Sequence, residues 1–139
     1  MSFNPGLFIG QKLKICEIIN IFKCGNMGGM RRSLTTNTLV LISDYTKDLY
    51  KDKWIGEVLH YTGMGKSGDQ DINWSQNKTL AQSKYNGVDI HLFEVINKGE
   101  YIYRGRFELE SEPYTETQKG DDDIDRNVLI FPIKSVIDL

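Results

Sequence analysis

Between Leu13 and Phe22 the apolar residues Ile15, Ile18, Ile19 and Phe22 recur at i, i+3, i+4 and i+7, and this spacing predicts a short amphipathic helix that Gly25 is placed to end. The stretch GNMGGMRRS that follows holds three glycines and two adjacent arginines, the composition of a tight or flexible loop. The run NTLVLIS at 37–43 is a strand by its leucine and β-branched content, and WIGEVLHYTG at 54–63 reads as a second strand interrupted early by Gly56. Residues 71–87, DINWSQNKTLAQSKYNG, are expected to be helical, with Ile72, Trp74, Leu80 and Ala81 toward the core and Asn86-Gly87 as the stop. Beyond them VDIHLFEVI (88–96), YIYRGRFELE (101–110) and NVLIFPIKSVI (127–137) are strand runs, the last broken by Pro132, with Asn97-Lys98-Gly99-Glu100 as a hairpin turn. His91 is expected to be an exposed strand histidine. Two helices and about five strands point to an α+β fold: a curved or barrel-like, mostly antiparallel sheet that tends to close on itself.

A chain of 139 residues suits one domain, taken as residues 1–139. No apolar run reaches the roughly 18 residues of a membrane span, and the amino terminus MSFNPGLFIGQKLK lacks a secretory pattern, so a cytoplasmic location is expected. Cys16 and Cys24 have neither the spacing nor the neighbours of a zinc site and are read as reduced thiols. With only His60 and His91, histidine-rich catalytic centres, including the ββα-metal nuclease set, are excluded for this segment; no metal and no cofactor are expected. The formal charge of −2 gives no general sign of nucleic-acid binding, yet residues 1–66 sum to +4 and residues 67–139 to −6, much of the latter in the acidic stretch GDDDID at 120–125, expected to be a solvated loop. The basic half is where a phosphate-facing surface would lie.

HYTGMGKSGDQ at 60–70 ends like a phosphate-binding loop in Gly65-Lys66-Ser67, but the glycine that such a loop needs five places earlier is His60, so the match fails. Four segments in order carry a different likeness. YTGMG (61–65), GDQ (68–70) followed by NKTLAQS (77–83), YIYRGRFEL (101–109) and RNVLIFPIKSV resemble the motifs of the SRA (SET- and RING-associated, YDG) domain, over about residues 26–136. The stretch from Asn37 to Gln70 looks closest to the SRA-like modules that precede HNH nuclease domains in bacterial modification-dependent restriction endonucleases.

The resemblance implies a DNA-binding module, not an enzyme, that flips 5-methylcytosine or 5-hydroxymethylcytosine out of duplex DNA, with a nuclease fused or associated elsewhere. A flipped base needs aromatic faces and a partner for its Watson–Crick edge. Tyr61 is expected to supply one face and Tyr50 the other, with Tyr45 and Trp54 as competitors. Asp52 is the expected acceptor for the cytosine amino group, ahead of Asp44 and Asp48, and the backbone N–H groups of Thr62 and Gly63 are expected to serve the base's acceptor atoms. Asn26, Met27, Met30, Arg31, Arg32 and Ser33 lie where the family's thumb loop enters the minor groove; Met27 or Met30 would fill the vacated space while Arg31, Arg32 and Ser33 hold phosphates, as would Lys66 and Ser67. Gln70 and Asn77 read as structural ties between helix and sheet. Two departures stand out: Arg104 replaces the family's aspartate, and only Lys66 and Ser67 separate Gly65 from Gly68, which favours indifference to the partner strand. The rival readings are a PUA-like reader of RNA or another modified base, and a small nucleotide-acting enzyme using Asp52 or Glu57 as acid or base.

Overall fold

A computed structural model describes residues 3–47 and 51–136. In chain order the elements are β1 (Lys12–Leu13), α1 (Ile15–Phe22), β2 (Met30–Ser33), β3 (Thr38–Asp44), β4 (Lys53–Ile55), β5 (Val58–Thr62), α2 (Gln76–Ala81), β6 (Asp89–Val95), β7 (Tyr101–Leu109), β8 (Tyr114–Lys119) and β9 (Asp125–Ser135). They form one sheet of order β2-β3-β6-β7-β9-β5-β4, with β1 added to β7 and β8 to β9. Among the described residues only β3 and β6 run parallel. The sheet is mostly antiparallel and carries two helices, as expected, but its hydrogen-bonded path is open: among the described residues its ends, β2 and β4, do not pair with each other.

The interior strands separate two apolar clusters by simple alternation. Leu39 and Leu41 of β3 join Leu59, Tyr61, Leu92, Phe131 and Leu80 of α2 on one face. Val40 and Ile42 join Phe93, Val95, Tyr103 and the α1 residues Ile18 and Phe22 on the other. Helix α1 thus buries the stripe that its spacing predicts, each fully buried side chain contributing about 1.5–3 kcal/mol. Its first turn is fixed by Glu17, whose carboxylate accepts the Lys14 N–H at 2.9 Å. Lys23, in the left-handed region at φ 56°, ends it two residues before Gly25.

Several elements differ from expectation for identifiable reasons. The 54–63 run is a hairpin rather than one strand, because Gly56 takes φ +61° and turns the chain between β4 and β5. Helix α2 is only six residues long, and Ile72 and Trp74 are exposed in the irregular segment before it. Pro132 does not break β9: its carbonyl faces Glu110, so its nitrogen lies on that same side, where β9 changes partner from β8 to β7 and a missing donor is tolerated. His91 is fully buried, since β6 is an interior strand with both faces covered. Arg104 is the extra residue of a bulge in β7, where Leu92 pairs with Gly105 and Phe93 with Tyr103, and Gly105 takes φ +99°. The hairpin at 97–100 forms as expected, closed by Glu100 N–H to the Asn97 carbonyl. No helix among the described residues is long and apolar enough to cross a membrane.

Candidate nucleic-acid interface

Strands β3 and β5 are not hydrogen-bonded neighbours, yet their carboxy-terminal ends approach each other across a cleft, and side chains span the gap. Asp52, just before β4, accepts the Ser43 hydroxyl of β3 at 2.7 Å on one oxygen and the Thr62 backbone N–H of β5 at 2.6 Å on the other. The Tyr61 hydroxyl shares its proton between the carbonyls of Gly29, at 2.9 Å, and Ile42, at 3.0 Å. Around these ties opens a cavity of about 800 Å³ lined by Asn26, Met27, Arg31, Asp52, Tyr61 and Thr62 together with Gly63–Lys66, Trp74, Tyr101 and residues of the β2 and β3 ends.

Burial pushes the Asp52 carboxyl above the usual carboxylate range, against the hydrogen bonds from Thr62 and Ser43 that favour the charged form; the nearby Glu94 charge adds to the rise. The Thr62 hydroxyl also favours the charged form, at a geometry too poor for a full hydrogen bond, so that this oxygen is buried without a partner. A carboxylate accepting two hydrogen bonds keeps acceptor capacity in reserve, and the Asp52 group stands at a cavity wall where it can be used.

The loop from Gly63 to Gly65 is held from behind. Gln70 donates to the carbonyls of Gly63 and Gly65 and accepts the Leu129 N–H; Asn77 accepts the Met64 N–H and donates to the Met64 and Asp71 carbonyls. Both residues are the structural ties they were read as. A Cβ on Gly63 would stand 2.8 Å from Asn77 Oδ1 and 3.0 Å from Gln70 Oε1, so glycine is required there by these ties and by Phe131. The backbone donors expected to meet the base are engaged: Thr62 N–H serves Asp52, and Gly63 N–H bonds the Leu129 carbonyl at 2.8 Å.

Of the expected site residues, Asp52, Tyr61, Thr62, Gly63, Asn26, Met27, Arg31 and Lys66 line the one cavity. Tyr50 and Asp48 lie outside the described residues. Trp54 does not line it: its indole N–H donates to Glu94 Oε2 at 3.0 Å and its ring meets Phe107 edge-on. Tyr45 donates to the same Glu94 oxygen at 2.6 Å, and burial together with that carboxylate raises its pKa. Arg104 completes the cluster, 2.6 Å from Glu94 Oε1. Glu94 therefore holds both competitor rings away from the cleft. Met30 is a core residue, which leaves Met27, 82% exposed at the cavity, as the thumb-loop methionine free to enter a groove. Ser33 is buried, donating to the Lys23 carbonyl and accepting the Thr36 N–H, and Arg32 is bound to the Thr38 carbonyl and Asn37 Oδ1; neither is oriented toward a phosphate. Ser67 is exposed and outside the cavity lining, as is Glu57. Two aromatic residues that the pattern did not mark complete the lining: Trp74, 53% exposed, and Tyr101, with the Arg31 guanidinium 6.0 Å above its ring. Trp74 was legible only as an apolar position, because nothing local says that its segment is irregular.

An open, mostly antiparallel sheet with a pocket at the facing ends of β3 and β5, overhung by a glycine-rich loop before β2, is the architecture of an SRA domain. The family model for the ScoMcrA-like SRA domain matches residues 9–138, and the chain belongs to that family. Among solved structures, the sulfur-binding and SRA domains of ScoMcrA complexed with phosphorothioated DNA are similar at a TM-score of 0.78 and 21% identity, over 95% of this chain and 40% of that one. The SUVH5 SRA domain in complex with hemi-methylated CG DNA is similar at 0.74 and 21%, over 99% of this chain and 94% of that one. KRYPTONITE in complex with mCHG DNA and SAH is similar at 0.72 and 15%, over 99% and 34%. At these identities the likeness is one of fold. The chain spans 28% of the Type IV phosphorothioation-dependent restriction endonuclease ScoMcrA. No curated protein sequence matches the chain.

Proposed function

We propose that this domain binds duplex DNA and reads a 5-modified cytosine, 5-methylcytosine or 5-hydroxymethylcytosine, rotated out of the helix into the cavity between β3 and β5. The observation that carries this reading is the Asp52 carboxylate, fixed by Ser43 and the Thr62 N–H at the wall of a cavity that also holds Tyr61. A cytosine amino group is a donor, and Asp52 is the acidic acceptor among the cavity residues held at both oxygens. Flipping costs a few kcal/mol of stacking and pairing; Tyr61, Trp74 and Tyr101 offer ring surface to offset it, and Met27 offers an apolar plug for the vacated stack. Lys47 and Lys66, both exposed and both on the cavity lining, are placed to meet phosphates. The relatives with solved complexes were captured on modified DNA, which supports the same class of ligand here. The setting we infer is the specificity domain of a modification-dependent endonuclease, with hydrolysis carried out by a nuclease domain, HNH in type, outside these residues.

The test is a binding series at fixed salt across duplexes that differ only at one base: cytosine, 5-methylcytosine, 5-hydroxymethylcytosine and N6-methyladenine. Preference for the modified cytosines, lost in Asp52→Ala, is the expected result. Preference for methyladenine or for RNA, or turnover of free nucleosides by the domain alone, would overturn the reading.

A further inference from the structure

The thumb-side wall of the cavity carries a buried guanidinium. Arg31, on β2, is 7% exposed and lines the cavity. Its Nε donates to the Gly28 carbonyl at 3.0 Å and its guanidinium lies 6.0 Å from the Tyr101 ring centre, while Nη1 is buried without a partner. Arg31 makes no ion pair within the described residues. A guanidinium has five donors and no acceptor, so one held by a single carbonyl and a ring face is short of partners. Leaving such a group desolvated is unfavourable unless a bound molecule supplies acceptors. The cavity volume of about 800 Å³ falls among pockets that enclose drug-sized ligands, more than a bare pyrimidine needs.

On the reading of the cavity as a flipped-base pocket, we propose that Arg31 is a specificity determinant: it favours a cytosine whose 5-substituent carries acceptor oxygens, hydroxymethyl or carboxyl, over one carrying a methyl group. A methyl group offers the guanidinium nothing, whereas a hydroxymethyl oxygen accepts one hydrogen bond and a carboxylate accepts two with charge complementarity. A backbone phosphate is the other source of acceptor oxygens on the same nucleotide. The exposed Lys47 and Lys66 on the same lining are the groups open to backbone phosphates, whereas Arg31 is buried in the wall.

The experiment is competition binding at constant salt with duplexes carrying one 5-methylcytosine, 5-hydroxymethylcytosine or 5-carboxylcytosine, using the wild type, Arg31→Met and Arg31→Lys. Thermal melting of each variant monitors folding. The wild type should prefer the carboxyl substituent to methyl by at least about tenfold, with hydroxymethyl between them. Arg31→Met should remove that ranking, bringing the carboxyl and hydroxymethyl duplexes down toward the methyl duplex, and Arg31→Lys should keep part of it. Equal or better binding of methylcytosine by the wild type, or a ranking unchanged in Arg31→Met, overturns the proposal and leaves the flipped-base reading standing. A uniform loss across all three duplexes in Arg31→Met, with a shallower salt dependence, would place the guanidinium on a phosphate and overturn it equally. Failure of every modified duplex to outcompete plain cytosine would instead sink the flipped-base reading itself.

Discussion

The Asp52 carboxylate accepts the Thr62 backbone N–H at 2.6 Å, and through Ser43 at 2.7 Å it joins the ends of two strands that share no backbone hydrogen bond. One side chain therefore both closes the open side of the sheet and furnishes the proposed base-reading acceptor, so its two roles must be separated by substitution. Asp52→Ala leaves the Thr62 N–H and Ser43 hydroxyl unsatisfied and should cost about 1–3 kcal/mol. Asp52→Asn retains an acceptor for Thr62 and presents an amide donor elsewhere; it should fold normally and still lose preference for modified cytosine. Melting curves beside the binding series check both.

The pH dependence of that pair has a definite sign. Burial raises the folded-state pKa of Asp52, so the folded protein holds the proton more tightly than the unfolded chain. The contribution favours folding below the unfolded value of about 4 and is lost as pH rises through the folded value. The stability of Asp52→Asn relative to wild type should therefore increase from about pH 4 upward, measured by denaturant titration at each pH.

His91 acts in the opposite direction. Burial lowers its pKa from 6.5 to about 4, with the nearby Asp89 opposing and Arg106 adding to the shift. Its ring is wedged against Phe22 and hydrogen-bonded to the Tyr103 hydroxyl at 2.8 Å. A depressed pKa gives stability that is present above the unfolded value and lost as pH falls through the folded one, here on the order of 3 kcal/mol between pH 6.5 and about 4. His91→Phe should flatten the acid limb of the stability profile without altering DNA selectivity.

How much of this was legible in the chain itself depends on the range of the interactions. The α1 stripe, the 97–100 turn and the four ordered motifs are local signals, and each led to the element or the family found. Strand β8, TyrThrGluThrGlnLys at 114–119, escaped notice because its exposed edge pairing leaves it mostly polar. The burial of His91 and the recruitment of Tyr45, Trp54 and Arg104 by Glu94 are decided by neighbours 10 to 49 residues away, which no local pattern records. Of the residues on the cavity, Asp52 and Tyr61 were singled out by motif spacing. That Thr62 and Gly63 spend their N–H groups on Asp52 and Leu129 could be known only from the folded backbone.

The Glu94 cluster makes its own prediction. Arg104→Asp restores the residue that the family motif carries, yet here it would set a second carboxylate beside a buried one that already serves Tyr45 and Trp54. It should destabilise by about 1–3 kcal/mol, more than Arg104→Gln, as measured by chemical denaturation.

Trp74 separates binding from folding. With its ring 53% exposed at the cavity rim, Trp74→Ala should leave the melting temperature nearly unchanged and weaken binding of modified duplex by about 1–3 kcal/mol if the indole stacks on nucleobases. Fluorescence anisotropy with labelled duplexes measures the loss.

The central claim is that a single modified cytosine leaves the helix on binding, and a fluorescent base analogue reports it directly. A duplex with 2-aminopurine next to the modified cytosine should brighten on saturation with the wild-type domain, as the analogue loses its stacked neighbour, and should stay dim with Asp52→Ala at matched occupancy. Saturating, modification-dependent binding without any rise in fluorescence would contradict the account.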